Sequence, residues 1–168
     1  MKTRVMLGDL RYNYAGILAN DCMPLGVAYL KAVMDAESPE IDSRLFVYPD
    51  KMLDALKEQV PDVLMLTNYV WNEALSREFF RIAKQLNPNV LTVMGGPNIP
   101  LEPERQQAFM ERYPEIDLYA LGEGDFLANS LVQEFIGTGH DLKKFKELNL
   151  DSVALRRPDG SVEVTKVV

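Results

Sequence analysis

Pro61-Asp62-Val63-Leu64-Met65-Leu66-Thr67-Asn68-Tyr69-Val70-Trp71-Asn72 is the stretch that decides the fold. Four apolar residues in a row, Val63 to Leu66, leave no polar alternation, so a strand built from them is buried on both faces, as a central parallel strand requires. The period then changes: Leu75, Phe79, Ile82, Ala83 and Leu86 recur at helical spacing and predict a helix over about Glu73 to Leu86, stopping before Asn87-Pro88. A buried strand followed by an amphipathic helix is one unit of a parallel sheet covered by helices.

The unit recurs on both sides. Upstream, a first strand is expected at about Arg4 to Leu7, then a polar, aromatic loop. A helix from about Pro24 to Ala36 follows, with Leu25, Ala28, Tyr29, Ala32 and Val33 as its buried face. A second strand, about Arg44 to Tyr48, leads to Pro49-Asp50, where Asp50 can cap a short helix through Val60. Downstream, Val90 to Met94 ends at Gly95-Gly96-Pro97. A helix near Pro103 to Arg112 precedes Leu118 to Leu121, which ends at Gly122-Glu123-Gly124-Asp125, and the last core helix runs to about Phe135. The expected fold class is α/β: a doubly wound, flavodoxin- or Rossmann-like sheet of five parallel strands with helices on both faces, plus a C-terminal β-hairpin. That hairpin is expected from Val153 to Arg156 and Val162 to Val167, which flank the turn Pro158-Asp159-Gly160. Before it, Gly137-Thr138-Gly139 breaks the helix and the charged stretch His140 to Glu147 is expected to leave the core. Because a two-stranded hairpin is marginal alone, it either packs on the sheet or belongs to something outside these residues. The expected organisation is therefore an α/β domain over residues 1–136 and a linker with hairpin over 137–168.

Composition bounds the function. A length of 168 residues suits one domain, and 18 Lys plus Arg against 25 Asp plus Glu give a formal charge of −7. With no basic stripe, a nucleic-acid surface is excluded as a reading. No apolar run reaches the roughly 18 residues of a membrane span, and a cytoplasmic protein is the expectation. The single cysteine, Cys22, rules out an internal disulfide and any cysteine-held cluster made by this chain alone; it reads as a small buried residue or an incidental thiol.

In an open parallel sheet ligands bind beyond the carboxyl ends of the strands, near the switch in strand order, so the loops there carry the candidates. The loop from about Gly8 to Met23 holds Asp9, Leu10, Arg11, Tyr12, Asn13, Tyr14 and Asn20. Thr67-Asn68-Tyr69-Val70-Trp71-Asn72 places two large aromatics at the sheet edge, where they expose apolar surface unless something flat covers them. Gly95-Gly96-Pro97 permits close backbone approach, or is simply a tight turn. Gly122 and Gly124 flank Glu123 at what reads as a helix N-terminus suited to an anion or polar tail. Trp71 is also a natural packing residue, Glu123 and Asp9 natural caps, and His140 a surface histidine.

Several functions drop out. G-x-G-x-x-G does not follow the first strand, no Walker A string occurs, and no G-x-S-x-G elbow accompanies the lone histidine. A phosphoacceptor receiver domain wants Asp and Lys where Thr67 and Gly122 stand.

Taken together, Met23-Pro24-Leu25-Gly26-Val27-Ala28-Tyr29-Leu30, Pro61-Asp62-Val63-Leu64, Tyr69-Val70-Trp71-Asn72, Gly95-Gly96-Pro97 and Gly122-Glu123-Gly124-Asp125 resemble, in order and spacing, the N-terminal cobalamin-binding domain of B12-dependent radical SAM enzymes. The resemblance implies cobalamin as cofactor, with the corrin across the carboxyl edge of the sheet. On it, Thr67 and Gly95 to Pro97 line the nucleotide tail, Gly122 to Gly124 approach the tail with backbone groups, and Tyr69 to Trp71 lie under the corrin plane. It also implies a partner, a radical SAM catalytic domain in cis or in trans that carries SAM and a [4Fe-4S] cluster on C-x-x-x-C-x-x-C, which one cysteine cannot supply. On this view the chain itself holds no catalytic residue and binds the corrin for a methyltransferase-like enzyme. Base-off cobalamin domains carry D-x-H-x-x-G after strand one; here Asp9-Leu10-Arg11-Tyr12-Asn13-Tyr14 puts Arg11 at the cobalt-ligating His position and Tyr14 at the Gly position. Arginine stays protonated and has no lone pair to donate, so this loop offers cobalt no ligand of the histidine kind. Two other expectations stand beside this one: a domain that keeps the fold but has lost the cofactor and acts as an interaction or substrate-positioning module, and a flavodoxin-type domain that would retain flavin.

Overall fold

The computed structural model describes residues 2–14, 17–18 and 23–168. The expectations for Asn20 and Cys22, and for the side chains of Asn13 and Tyr14, fall outside the described residues. In chain order the elements are β1 (Thr3–Gly8), the two-residue strands β2 (Asn13–Tyr14) and β3 (Ile17–Leu18), α1 (Leu25–Glu37), β4 (Ile41–Phe46), α2 (Pro49–Glu58), β5 (Val63–Thr67), α3 (Glu73–Leu86), β6 (Leu91–Gly95), α4 (Pro103–Arg112), β7 (Leu118–Ala120), α5 (Leu127–Gly137), α6 (Leu142–Phe145), β8 (Val153–Arg156) and β9 (Val162–Val164).

The main sheet runs β4-β1-β5-β6-β7-β8-β9. Its first five strands are parallel, and β8 and β9 extend it antiparallel from the β7 edge. The five-stranded parallel sheet is thus present within a mixed sheet of seven strands. The hairpin joins it because Val153, Ala154 and Leu155 are fully buried against β7. Successive residues of β5 and β6 alternate between two cores: Leu64, Leu66 and Met94 face α2, α3 and α4, whereas Val63, Met65 and Val93 face α1 and α5. No helix among the described residues is long and apolar enough to cross a membrane.

Local differences from the sequence expectation have physical causes. β4 begins at Ile41 and ends at Phe46, since the alternating burial of Ile41 and Ser43 suits an edge strand. Tyr48 rather than Asp50 is the N-cap of α2; Pro49 opens the helix and Asp50 sits in its first turn. The buried stripe of α1 is Val27, Leu30 and Met34, while Leu25 and Tyr29 are 69% and 54% exposed. That helix is apolar on most sides, so periodicity alone does not choose its inner face. The stretch 140–147 does not leave the core, because Phe145 is fully buried between α5 and the sheet with Leu142 and Leu148 packed nearby. His140 is exposed, with its ring within 2.9 Å of Thr3 Oγ1.

Candidate functional site

The strand order reverses between β1 and β5, so their carboxyl ends diverge into the loops that carry most of the candidate residues. Here residues far apart in sequence form one polar cluster. Thr67 Oγ1 donates to Asp9 Oδ1 at 2.9 Å. Asn72 Nδ2 lies 2.8 Å from Thr67 Oγ1, 3.2 Å from Asp9 Oδ1 and 3.3 Å from the Leu10 carbonyl. Arg11, only 3% exposed, donates from Nη2 to Asp9 Oδ2 at 3.3 Å. The Asn72 carboxamide oxygen also accepts from the Tyr69 backbone N–H at 2.8 Å. It thereby shapes the turn on which Tyr69 and Trp71 stack, their ring centroids 4.5 Å apart and planes 4° from parallel.

A second cluster ties the loop after β5 to the loop after β6. The Tyr119 hydroxyl donates to the Gly96 carbonyl at 2.7 Å. Asn68 Nδ2 reaches the Asn98 carbonyl at 2.7 Å and the Tyr119 oxygen at 3.2 Å. Asn98 Nδ2 donates in turn to Asn68 Oδ1 and Glu73 Oε2. Burial pushes the Tyr119 hydroxyl well above the usual tyrosine range, so it stays a proton donor. Gly96 has φ +120°, and a Cβ there would lie 2.8 Å from the Asn68 carbonyl oxygen, so only glycine fits this crossing of two loops.

Between these clusters lies a cleft of about 180 Å³, walled by the carboxyl ends of β5, β6 and β7 on one side and by α1 and α5 on the other. Gly26, Gly95 and Gly124 border it. Among the described residues, a Cβ at Gly26 would meet nothing within 4 Å, and one at Gly95 only Ala120, at 3.8 Å. Packing against the described residues therefore does not account for a glycine at 26, inside a helix where alanine is favoured. Through Gly26, Val27, Thr67 and Tyr69 the cleft opens into a second hollow of about 250 Å³ over the switch point, bordered by Asp9, Arg11, Met23, Leu25 and Trp71. A larger hollow, about 700 Å³, lies on the far side of the Gly122–Asp125 turn, between α5 and the C-terminal residues. Its position away from the strand-order switch makes it the lesser candidate.

Of the residues picked from sequence, Asp9, Arg11, Thr67, Tyr69 and Trp71 surround the upper hollow, and Gly95, Gly96, Gly122 and Gly124 surround the cleft. Leu10 is turned into the core, and the side chains of Asn68 and Asn72 are fully buried as braces. Val70 and Pro97 are exposed, and Glu123 borders the larger hollow. Gly122 to Gly124 form a turn ahead of α5, whose N-cap is Phe126, so these glycines do not themselves make a helix N-terminus. Sequence reasoning left out Gly26, Val27, Leu30 and Ala128, the helical wall of the cleft.

A family model described as "B12 binding domain" matches residues 14–131, well over half of the chain. The chain belongs to the B12-binding domain family. This B12-binding domain is 39% identical over 82 residues to the cobalamin-dependent radical SAM methyltransferase TokK of Streptomyces tokunonensis, a match covering 49% of this chain and 11% of that protein. It is 29% identical over 126 residues to the 2-(S-pantetheinyl)-carbapenam-3-carboxylate methyltransferase of Streptantibioticus cattleyicolor, covering 72% of this chain and 18% of that one. The fold is shared with the cobalamin-dependent radical enzyme OxsB, solved with aqua-cobalamin and S-adenosylmethionine bound: TM-score 0.71 and 18% identity over 99% of this chain and 22% of that one. The B12-binding domain thus spans about a tenth to a fifth of these three proteins.

Proposed function

We propose that this chain binds cobalamin and serves as the corrin-holding module of a radical SAM methyltransferase-like enzyme. The observation that carries the reading is the gap beside Gly26: a cleft at the carboxyl ends of β5, β6 and β7 whose bordering glycines leave room that no side chain among the described residues takes. Such space fits a buried cofactor tail, and the hollow above it, with Trp71 and Tyr69 on its border, fits a broad flat ring. Thr67 and Gly95 to Pro97 would line the tail, Gly122 to Gly124 would meet it with backbone groups, and Asp9 and Arg11 would lie below the ring. When bound, cobalamin supplies a cobalt centre able to carry a methyl group. A catalytic domain, in cis or in trans, would hold SAM and the [4Fe-4S] cluster and generate the substrate radical.

Arg11 stands where a histidine ligand would be and is ion-paired to Asp9. Trp71, on the border of the upper hollow, would then lie against the ring without offering the metal a ligand, and the group held there would supply a low-valent cobalt able to take up a methyl group. Reconstitution with hydroxocobalamin tests both levels. A corrin spectrum without nitrogen ligation, altered in Trp71→Ala, is the expected result. A nitrogen-ligated spectrum, or one unchanged by that substitution, contradicts the role of Trp71, and no retained corrin at all contradicts the function.

A further inference from the structure

We infer that the cleft selects a corrinoid whose tail ends in an apolar benzimidazole over one whose tail ends in a purine. This rests on the tail lying in the cleft, as proposed above. The walls that enclose the base are the side chains of Val27, Leu30, Met65, Val93, Ala120 and Ala128. None of them offers a hydrogen bond. Backbone groups of β5, β6 and β7 at this depth are engaged in the parallel ladder, where Met65 faces Val93, Thr67 faces Gly95 and Gly95 faces Ala120.

The polar side chains that border the cleft, Thr67, Tyr69 and Asp125, are each partly exposed, whereas Val27, Met65, Val93 and Ala128 are buried. The Thr67 hydroxyl donates to Asp9 and accepts from Asn72. Tyr69 is stacked on Trp71, and Asp125 stands half-exposed in the turn before α5. Dimethylbenzimidazole carries two methyl groups on its outer edge and buries them against these walls at a gain. Adenine instead brings an exocyclic amine and additional ring nitrogens that must shed water against these apolar walls. The volume, about 180 Å³, suits one flat ring system; an apolar cavity of roughly 150 Å³ elsewhere holds benzene and stays dry. An apolar pocket rejects a polar isostere only modestly, so the expected discrimination is about 10- to 100-fold.

The test is equilibrium dialysis of the purified chain against three probes: aquocobalamin, its adenine-tailed analogue, and cobinamide, which has no tail base. Aquocobalamin is expected to bind best, and the adenine-tailed form about 10- to 100-fold more weakly. Leu30 points toward Gly124 across the cleft, its Cδ2 3.6 Å from a Cβ built there. Leu30→Gln places a donor and an acceptor on the wall at similar volume and should shrink the ratio. Ala128→Ser is the milder version should a thermal melt show Leu30→Gln unfolded. Equal affinity for the two tailed corrinoids, or a ratio unmoved in the folded variant, overturns the inference while leaving cobalamin binding intact. Failure of all three probes to bind overturns the proposed function, and the inference with it.

Discussion

The two edges of the sheet are built from opposite materials. At the amino ends, Asp117 lies just before β7 with its side chain 2% exposed, and it takes Lys84 Nζ at 2.5 Å, Lys146 Nζ at 2.6 Å and the Thr92 backbone N–H at 3.0 Å. Arg156 of the hairpin donates to the carbonyls of Met110, Tyr113 and Ile116 and closes the end of α4. Asp117 and Arg156 thus find their partners within the protein. At the carboxyl ends, glycines replace side chains, and Met23, Leu25, Trp71 and Phe126 are left 75%, 69%, 40% and 63% exposed. Among the described residues, charged and polar side chains pair at the amino edge, while hollows of about 180 and 250 Å³ lie at the carboxyl edge. The amino edge holds the fold so that the carboxyl edge can remain unfilled.

The largest expected effect breaks the amino edge. Asp117→Ala leaves Lys84 and Lys146 against a vacated, buried site, and removing one partner of such a group costs about 3–5 kcal/mol. The melting temperature should fall by roughly 10 °C for a chain of this size. Cobalamin affinity of the protein that remains folded should not change, and calorimetry with dialysis would read both. The same carboxylate sets a pH dependence. Burial pushes Asp117 up, yet Lys84 and Lys146 outweigh it and hold the group below the usual carboxylate range. A depressed native pKa stabilises above the unfolded value and is lost as pH falls through the native one. The contribution of Asp117 is therefore complete at neutral pH and disappears only below the ordinary aspartate range, near ~4. Acid titrations of wild type and Asp117→Asn should diverge above that range and converge beneath it.

The next effect sharpens the comparison from the other side. Gly26→Leu puts a side chain on the cleft border at a position where a Cβ meets no described atom within 4 Å, so it should lower cobalamin retention by at least about 100-fold, the scale of losing well over 2 kcal/mol of contact, while the fold persists. Gly26→Ala should slightly stabilise the helix, by at most ~1 kcal/mol, and still weaken binding. A variant that melts higher and binds worse is the signature of a residue kept for its ligand. The smallest effect falls on the brace behind the cleft. Tyr119→Phe keeps the ring in the core but strips the Gly96 carbonyl and Asn68 of a partner, at about 1–3 kcal/mol. A melting shift of a few degrees should accompany a modest loss of cobalamin affinity, read by the same two measurements.

How much of this was legible in the sequence follows from the same contrast. The sheet could be read because Val63 to Leu66 is an uninterrupted apolar run and Val90 to Met94 is broken only by Thr92, and α3 ends before Asn87-Pro88 as expected. The inner face of α1 could not, because Leu25-Ala28-Tyr29 and Val27-Leu30-Met34 are both apolar stripes and only the sheet chooses between them. Asp9, Thr67 and Trp71 were visible as loop residues, but their assembly was not: the Thr67–Asp9 bond spans 58 positions and the Asn72–Asp9 bond 63. Gly26 carried a usable signal, since a glycine early in a helix without a turn to make calls for a reason outside the helix.

The central claim is that the open edge is open for cobalamin. Wild type and Gly26→Leu, each mixed with hydroxocobalamin, desalted and scanned in the visible, test it most directly. A corrin band near one equivalent per chain is expected in wild type, and its loss in the variant with the fold unchanged. A band absent from wild type, or equal in both proteins, would contradict it.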